Sequence, residues 1–124
     1  MNPELVLRRA LGLSVVFNVM GALLFAFPDS LPGRLAGLPP DVPGLYRGLV
    51  ALFVLLFAGS YLWLARSANL DRAFVTFAAI GKTSAFLLIL AFWLFGEAPL
   101  RGVLAMSGDL AFAAVFAWCL SRLP

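Results

Sequence analysis

Four long apolar runs dominate the pattern of hydrophobic and polar positions along the chain. They cover residues 10–27, 45–65, 73–95 and 102–120, and shorter segments rich in polar residues, proline or glycine separate them. A helix needs about 20 mostly apolar residues to cross the hydrocarbon core of a bilayer, which is about 30 Å thick. The pattern therefore predicts an all-α membrane protein, an antiparallel four-transmembrane-helix bundle in which residues 1–124 form a single transmembrane domain.

The segment between the first two runs, residues 28–44, differs sharply from its neighbours. It holds five of the eight prolines and three of the eleven glycines, so a continuous helix cannot pass through it. Leucines at positions 31, 35 and 38 recur at nearly helical spacing, which favours one or two helical turns on the membrane surface. We expect a Pro/Gly-rich surface loop that covers one end of the bundle and meets the turn at residues 96–101.

Composition agrees with a membrane protein and removes several function classes. The 124 residues are 63% hydrophobic and only 12% charged, whereas ordinary soluble domains are about 25% charged. The chain has no histidine and one cysteine, Cys119, which excludes a clustered zinc site and a disulfide within the chain. The net charge of +3 comes from arginines near the ends of the apolar runs, a distribution that gives no reason to expect nucleic acid as a partner.

The arginines also predict an orientation, because loops on the cytoplasmic side of a membrane carry an excess of positive charge. In a four-helix bundle both termini and the middle loop lie on one side. That side has five arginines and the other has three: Arg8, Arg9, Arg66, Arg72 and Arg122 against Arg34, Arg47 and Arg101. We expect an integral protein of a bacterial cytoplasmic membrane with both termini in the cytoplasm.

Three of the apolar runs contain a strongly polar residue at similar depth. Lys82 lies in the middle of the third run, Asp109 in the fourth and Asn18 in the first. At 1.5 Å per residue, all three are about 15–18 Å from the cytoplasmic ends of their helices, near the membrane midplane. A lone charge there costs about 2.5–3.5 kcal/mol on insertion scales, so such groups are usually paired or functional. Because a short turn joins the third and fourth helices, we predict a buried ion pair between Lys82 and Asp109.

Hydroxyl groups near this pair could complete its hydrogen bonding. The candidate hydroxyl groups belong to Thr83, Ser84, Ser107, Thr76 and Ser60. We expect them to satisfy donors and lone pairs that the pair itself leaves over, since buried polar groups are usually hydrogen-bonded.

The sequence leaves three interpretations of these polar residues open. The pair and Asn18 could fix helix register, as polar groups between membrane helices often do. They could instead form a polar cavity that binds a small polar head group or moves a proton. In the third interpretation Arg47 reaches Asp109, and Lys82 snorkels to the interface or becomes neutral.

No familiar catalytic arrangement accompanies these residues. Nucleophile–base triads, phosphate-binding loops and paired carboxylates are absent from the sequence. We therefore expect an integral membrane accessory or small lipophile-binding subunit without its own catalytic machinery. Its partners would be the lipid bilayer and either another membrane protein or a second copy of the chain. The alternative is a small proton-coupled transporter or membrane enzyme in which Lys82 and Asp109 exchange protons.

The order of the segments resembles that of the DoxX-like superfamily of small four-helix bacterial membrane proteins. The resemblance rests on LRRALGLSVVFNVMGALLFAFP, on GLYRGLVALFVLLFAGSYLWLAR after the Pro/Gly-rich loop, on DRAFVTFAAIGKTSAFLLIL with its pair Gly81-Lys82, and on a final helix with an acidic residue. It covers nearly the whole chain. It implies a four-helix membrane fold and a similarity to accessory membrane subunits of quinone-linked sulfur oxidation, with quinone or lipid as the ligand implied and no redox motif in the chain itself.

Overall fold

Five α-helices and no strand make up the protein. A computed structural model describes all residues from Met1 to Pro124. Its helices are α1 (Pro3–Ala26), α2 (Leu31–Leu35), α3 (Gly44–Arg66), α4 (Arg72–Leu94) and α5 (Leu100–Arg122). All but α2 are long and apolar enough to cross a membrane, and the predicted all-α four-helix membrane architecture is confirmed.

The first helix begins earlier than the apolar pattern indicates. The sequence places its start near Ala10, whereas α1 starts at Pro3. The reason is local: the Asn2 side chain accepts hydrogen bonds from the backbone N–H groups of Glu4 and Leu5, and proline is favourable in the first turn of a helix. The polar head of the chain is therefore part of the helix.

Helix α1 lies at the centre of the bundle and packs closely against both α3 and α5, while α4 packs closely against α5. The sequence predicts α3 and α4 to be antiparallel neighbours, since only a short polar turn joins them. Their backbones approach each other at few or no points. Aromatic side chains bridge them, with the rings of Phe57 and Phe77 stacked at 6.0 Å and those of Tyr61 and Phe74 edge-on at 6.3 Å. Bulky rings thus hold these two helices apart.

The half of the bundle near the two termini is tightly packed, and we call it the terminal half. Its buried core draws on all four long helices: Leu7, Ala10, Leu11, Tyr61, Leu64, Val75, Ala78, Phe116 and Cys119. Arginines join the helices at this end. Arg8 donates to the carbonyl oxygens of Ala65 at 2.9 Å and Ser67 at 2.7 Å, and Arg72 donates to the carbonyl oxygen of Leu120 at 3.0 Å. The last carbonyls of a helix lack partners within it, so these cations complete the ends of α3 and α5.

The opposite half, which we call the loop half, ends at the 28–44 segment. Gly37 has a φ of 77°, and a β-carbon added there would press on Pro99 and on the backbone of Gly102. Arg101 Nε donates to the carbonyl oxygen of Arg34 at 3.1 Å. The 28–44 segment therefore lies against the turn that joins α4 and α5; its position on the non-cytoplasmic surface stays a prediction.

Candidate functional site

Three helices bring their strongly polar residues to one point in the middle of the bundle. Lys82 lies ten residues after Arg72, the first residue of α4, which is about 15 Å along the helix at 1.5 Å per residue. Asn18 on α1 and Asp109 on α5 reach the same level. The three side chains therefore meet at the depth below the helix ends that the sequence predicts.

The Lys82 ammonium is held directly by two oxygen atoms. Its Nζ lies 2.9 Å from Asp109 Oδ1 and 3.1 Å from Asn18 Oδ1, and the side chain is only 4% exposed. The predicted buried ion pair is confirmed. Arg47 forms no ion pair with Asp109, so the third interpretation of the polar residues is wrong.

A chain of hydrogen bonds extends from this pair to a further helix. Asn18 Nδ2 donates to the carbonyl oxygen of Val54 on α3 at 3.2 Å, while Asn18 Oδ1 accepts from Lys82. The bonds therefore link α3, α1, α4 and α5 in that order. A set of polar contacts that spans all four long helices fixes their relative depth.

Three aromatic rings surround the ammonium in addition to the two oxygens. The centroids of Phe17, Tyr61 and Phe112 lie 5.2, 5.2 and 5.3 Å from Lys82 Nζ. A cation near the face of an aromatic ring gains about 0.5–2 kcal/mol, more where water is excluded. The rings thus compensate part of the cost of burying this charge.

The sequence analysis did not identify these rings as part of the site. Phe17 directly precedes Asn18, and a β-carbon on Gly108, next to Asp109, would overlap the Phe17 ring. Gly108 lies next to Asp109, the only charged residue in the middle of α5. A glycine at such a position indicates that another group packs closely against the helix, but it does not identify that group.

The expected hydroxyl groups are not brought to the pair. Ser107 donates to the carbonyl oxygen of Leu104 in its own helix, Ser84 is exposed, and Thr83 makes no hydrogen bond to Lys82 or Asp109. Thr76 and Ser60 likewise bond to carbonyl oxygens of their own helices. Residues one or two positions apart on a helix do not face the same side, which explains why neighbours of Lys82 and Asp109 in sequence point elsewhere.

A cavity of about 1100 Å³ begins at the polar cluster and continues through the loop half. Asn18, Lys82 and Asp109 line its inner end. Apolar side chains line its length on each of the long helices, among them Phe25, Phe53, Val54, Ile89 and Ala105. At its outer end the cavity reaches residues 36–39 of the 28–44 segment and the turn before α5.

The cavity is closed towards the terminal half and open towards the lipid-facing surface. The rings of Tyr61, Phe57 and Phe77 fill the space between α3 and α4 below the polar cluster. Above it, cavity-lining side chains on both helices are also surface-exposed, including Phe53 at 57% and Phe92 at 43%. Because these lining side chains of α3 and α4 are exposed on the surface, a molecule dissolved in the bilayer could reach the polar cluster from the side.

The arrangement can accommodate an elongated amphiphile. The walls offer apolar contact. The buried polar residues Asn18, Lys82 and Asp109 lie at the inner end, and the charged residues Glu97 and Arg101 line the outer end. No cluster of His, Cys, Asp and Glu that could hold a metal ion is present.

The chain was compared with protein families, curated proteins and solved structures. No protein family, no curated protein and no solved structure matches it.

Proposed function

We propose that this integral membrane protein binds a lipophilic molecule in the cavity between its helices, as a small accessory subunit without catalytic machinery of its own. The polar head of the ligand would lie at Lys82, Asp109 and Asn18, and its apolar part would extend along the walls of the loop half. The observation that carries the proposal is the position of the buried pair at the inner end of a lipid-accessible cavity.

The size and chemistry of the cavity support ligand binding. Sites for small molecules commonly measure about 300–1000 Å³, are lined mainly by apolar side chains and carry a few convergent polar groups. The volume of about 1100 Å³ is slightly above this range, and the buried polar residues Asn18, Lys82 and Asp109 converge at the inner end. An amphiphile rather than a uniformly polar solute fits such a distribution.

A purely structural role for the pair accounts for only part of these observations. The direct bond of 2.9 Å between Lys82 and Asp109, extended by Asn18, does join helices and would do so without any ligand. A structural contact of this kind needs no access from outside, and polar residues between membrane helices are usually enclosed by them. Here Asp109 lines the cavity and keeps 15% of its side chain exposed, which favours a second role for the carboxylate.

The packing favours binding over transport. A transporter must connect its central site to each side of the membrane in turn. The loop half contains the cavity, whereas the terminal half is filled by the buried core around Tyr61 and Phe116. A proton-coupled transporter or membrane enzyme using Lys82 and Asp109 stays the alternative, and it would require this core to open.

The setting of the proposed activity follows from the sequence. The arginine distribution supports a bacterial cytoplasmic membrane with both termini in the cytoplasm. The resemblance to the DoxX-like superfamily supports an accessory role beside another membrane protein, or beside a second copy of this chain. Quinone and other lipids are the ligand classes that the resemblance implies.

Filling the cavity tests the proposal. A β-carbon on Gly81 would meet no atom within 4 Å, and this glycine lines the cavity, so Gly81→Phe should occupy part of it. Gly59→Phe is the matched control, because Gly59 is also an exposed helix glycine with free space but lies outside the cavity. Each protein is purified in mild detergent, and its bound lipids are counted by native mass spectrometry.

The two variants should differ clearly. We expect the wild type and Gly59→Phe to retain a lipid and Gly81→Phe to lose most of it, with all three equally folded by circular dichroism. A wild type without bound lipid, or equal retention in both variants, would contradict the proposed function.

A further inference from the structure

The hydrogen bonds at the inner end of the cavity restrict what a ligand can offer there. A lysine ammonium has three hydrogens to donate. Two of them are directed to Asn18 Oδ1 and Asp109 Oδ1, and three aromatic rings enclose the rest of the group. Lys82 therefore has little capacity left for an acceptor on a ligand.

Asp109 is in the opposite position. An ionised carboxylate has two oxygens that can together accept about four hydrogen bonds. Only Oδ1 accepts a hydrogen bond from the protein. Oδ2 has no donor within the protein, and it is not among the fully buried oxygen atoms. Since Asp109 lines the cavity, this free acceptor is what the protein presents to a bound head group.

The charge balance of the site disfavours a charged head group. Lys82 and Asp109 neutralise each other at 2.9 Å, and no other charged side chain lies at this level of the cavity. An ammonium head would compete with Lys82 for the same carboxylate, and an anionic head would face it. Either would add a charge without a partner in a region of low dielectric constant, which is costly.

Resting on the proposed function, we infer that the cavity selects a lipid with an uncharged hydroxyl head, and that Asp109 Oδ2 accepts the hydrogen bond of that hydroxyl. The oxygen of the same hydroxyl can accept from Asn18, whose amide has two hydrogens and gives one of them to the carbonyl of Val54. The ligand class is thus a long-chain alcohol, recognised chiefly as a donor.

The geometry also indicates where the chain of this alcohol lies. From Lys82 to Leu94, the last residue of α4, the helix rises about 18 Å at 1.5 Å per residue. The cavity follows this stretch as far as Phe92 and opens to the lipid at exposed side chains of α3 and α4. A single hydrocarbon chain can therefore extend from the head towards the 28–44 segment.

A photoaffinity competition experiment tests the inference. The probe is dodecanol with a diazirine at the end of its tail, applied to the protein in nanodiscs. The competitors are dodecanol, its methyl ether, dodecylamine and dodecanoate, which share one chain and differ in the head. The ether keeps the acceptor oxygen and loses only the donor, so it is the matched control.

We expect dodecanol to compete at least tenfold better than the ether, because a buried acceptor strongly rejects an analogue that cannot donate to it. The amine and the acid should compete no better than the ether. The labelled residues should lie on α3 and α4 in the loop half. Saturable labelling with equal competition by alcohol and ether would overturn the inference and leave the proposed function standing. Absence of saturable labelling would overturn both.

A variant locates the selectivity. Single replacement of Asp109 leaves Lys82 buried without its counter-ion, so the double variant Lys82→Met with Asp109→Leu is used after its folding has been verified. We expect dodecanol to compete about tenfold less well on this variant than on the wild type, and no better than the ether, because the acceptor of its hydroxyl is removed. An unchanged preference would show that the hydroxyl does not bind at Asp109 and would overturn the inference.

Discussion

Replacing Lys82 by Met removes one charge of the buried pair and leaves its partner in place. Methionine is also long and unbranched, so the change alters charge far more than volume. Asp109 Oδ1 and Asn18 Oδ1 both lose their donor, and the three surrounding rings lose the cation. The protein then contains a carboxylate that is buried without a counter-ion.

The burial of Asp109 determines how much Lys82→Met should lower the free energy of unfolding. Breaking one partner out of a buried ion pair typically costs about 3–5 kcal/mol. Asp109 keeps 15% of its side chain exposed and lines the cavity, so water can reach it. We therefore expect a loss near the lower limit, about 3 kcal/mol in the free energy of unfolding.

The double variant Lys82→Met with Asp109→Leu should recover most of this loss. Replacing both members of a buried pair by apolar side chains is often neutral or stabilising. We expect the double variant to lie within about 1 kcal/mol of the wild type, since only the hydrogen bond to Asn18 is lost without replacement. The coupling between the two sites would then be at least about 2 kcal/mol.

The assay is an SDS titration in mixed micelles followed by circular dichroism, applied to the wild type, both single variants and the double variant. Ser107→Ala is the control at the same depth of α5, because its hydroxyl bonds only to Leu104 of its own helix. The reasoning is wrong if Lys82→Met is as stable as the wild type, or if the double variant is as unstable as the worse single variant.

Two further predictions concern packing and topology. Gly108→Ala should lower the free energy of unfolding by about 1–3 kcal/mol, because the added β-carbon overlaps the ring of α1 that covers the ammonium; Gly12→Ala, where a β-carbon meets no atom within 4 Å, is the control, and equal stabilities would contradict the packing. In a Cys119→Ser background, a membrane-impermeant thiol reagent on intact cells should label Arg34→Cys and spare Ser67→Cys. The reverse labelling would invert the orientation and place the 28–44 segment in the cytoplasm.

The sequence by itself determined the four spans and the level at which the polar residues meet. The spans follow from the number of apolar residues needed to cross a bilayer. The level of the polar residues follows from their distance from the helix ends and from the free-energy cost of an unpaired charge far from water. Lys82 and Asp109 are the only charges deep within their runs and lie on helices joined by a short turn, so their pairing could be predicted. The start of the first helix was predicted too late, because the apolar pattern does not report the cap at Asn2.

Only the tertiary structure decided which helices pack together and whether the ion pair can be reached. In a membrane, apolar residues face lipid and protein alike, so a run such as that of α3 does not show which side meets a neighbour. Phe57 and Phe77 look like any other apolar positions in the sequence, yet their stacking separates α3 from α4 and leaves the cavity above them. The rings around Lys82, and the hydroxyls that turn away from it, depend on rotations about each helix axis that result from packing between helices.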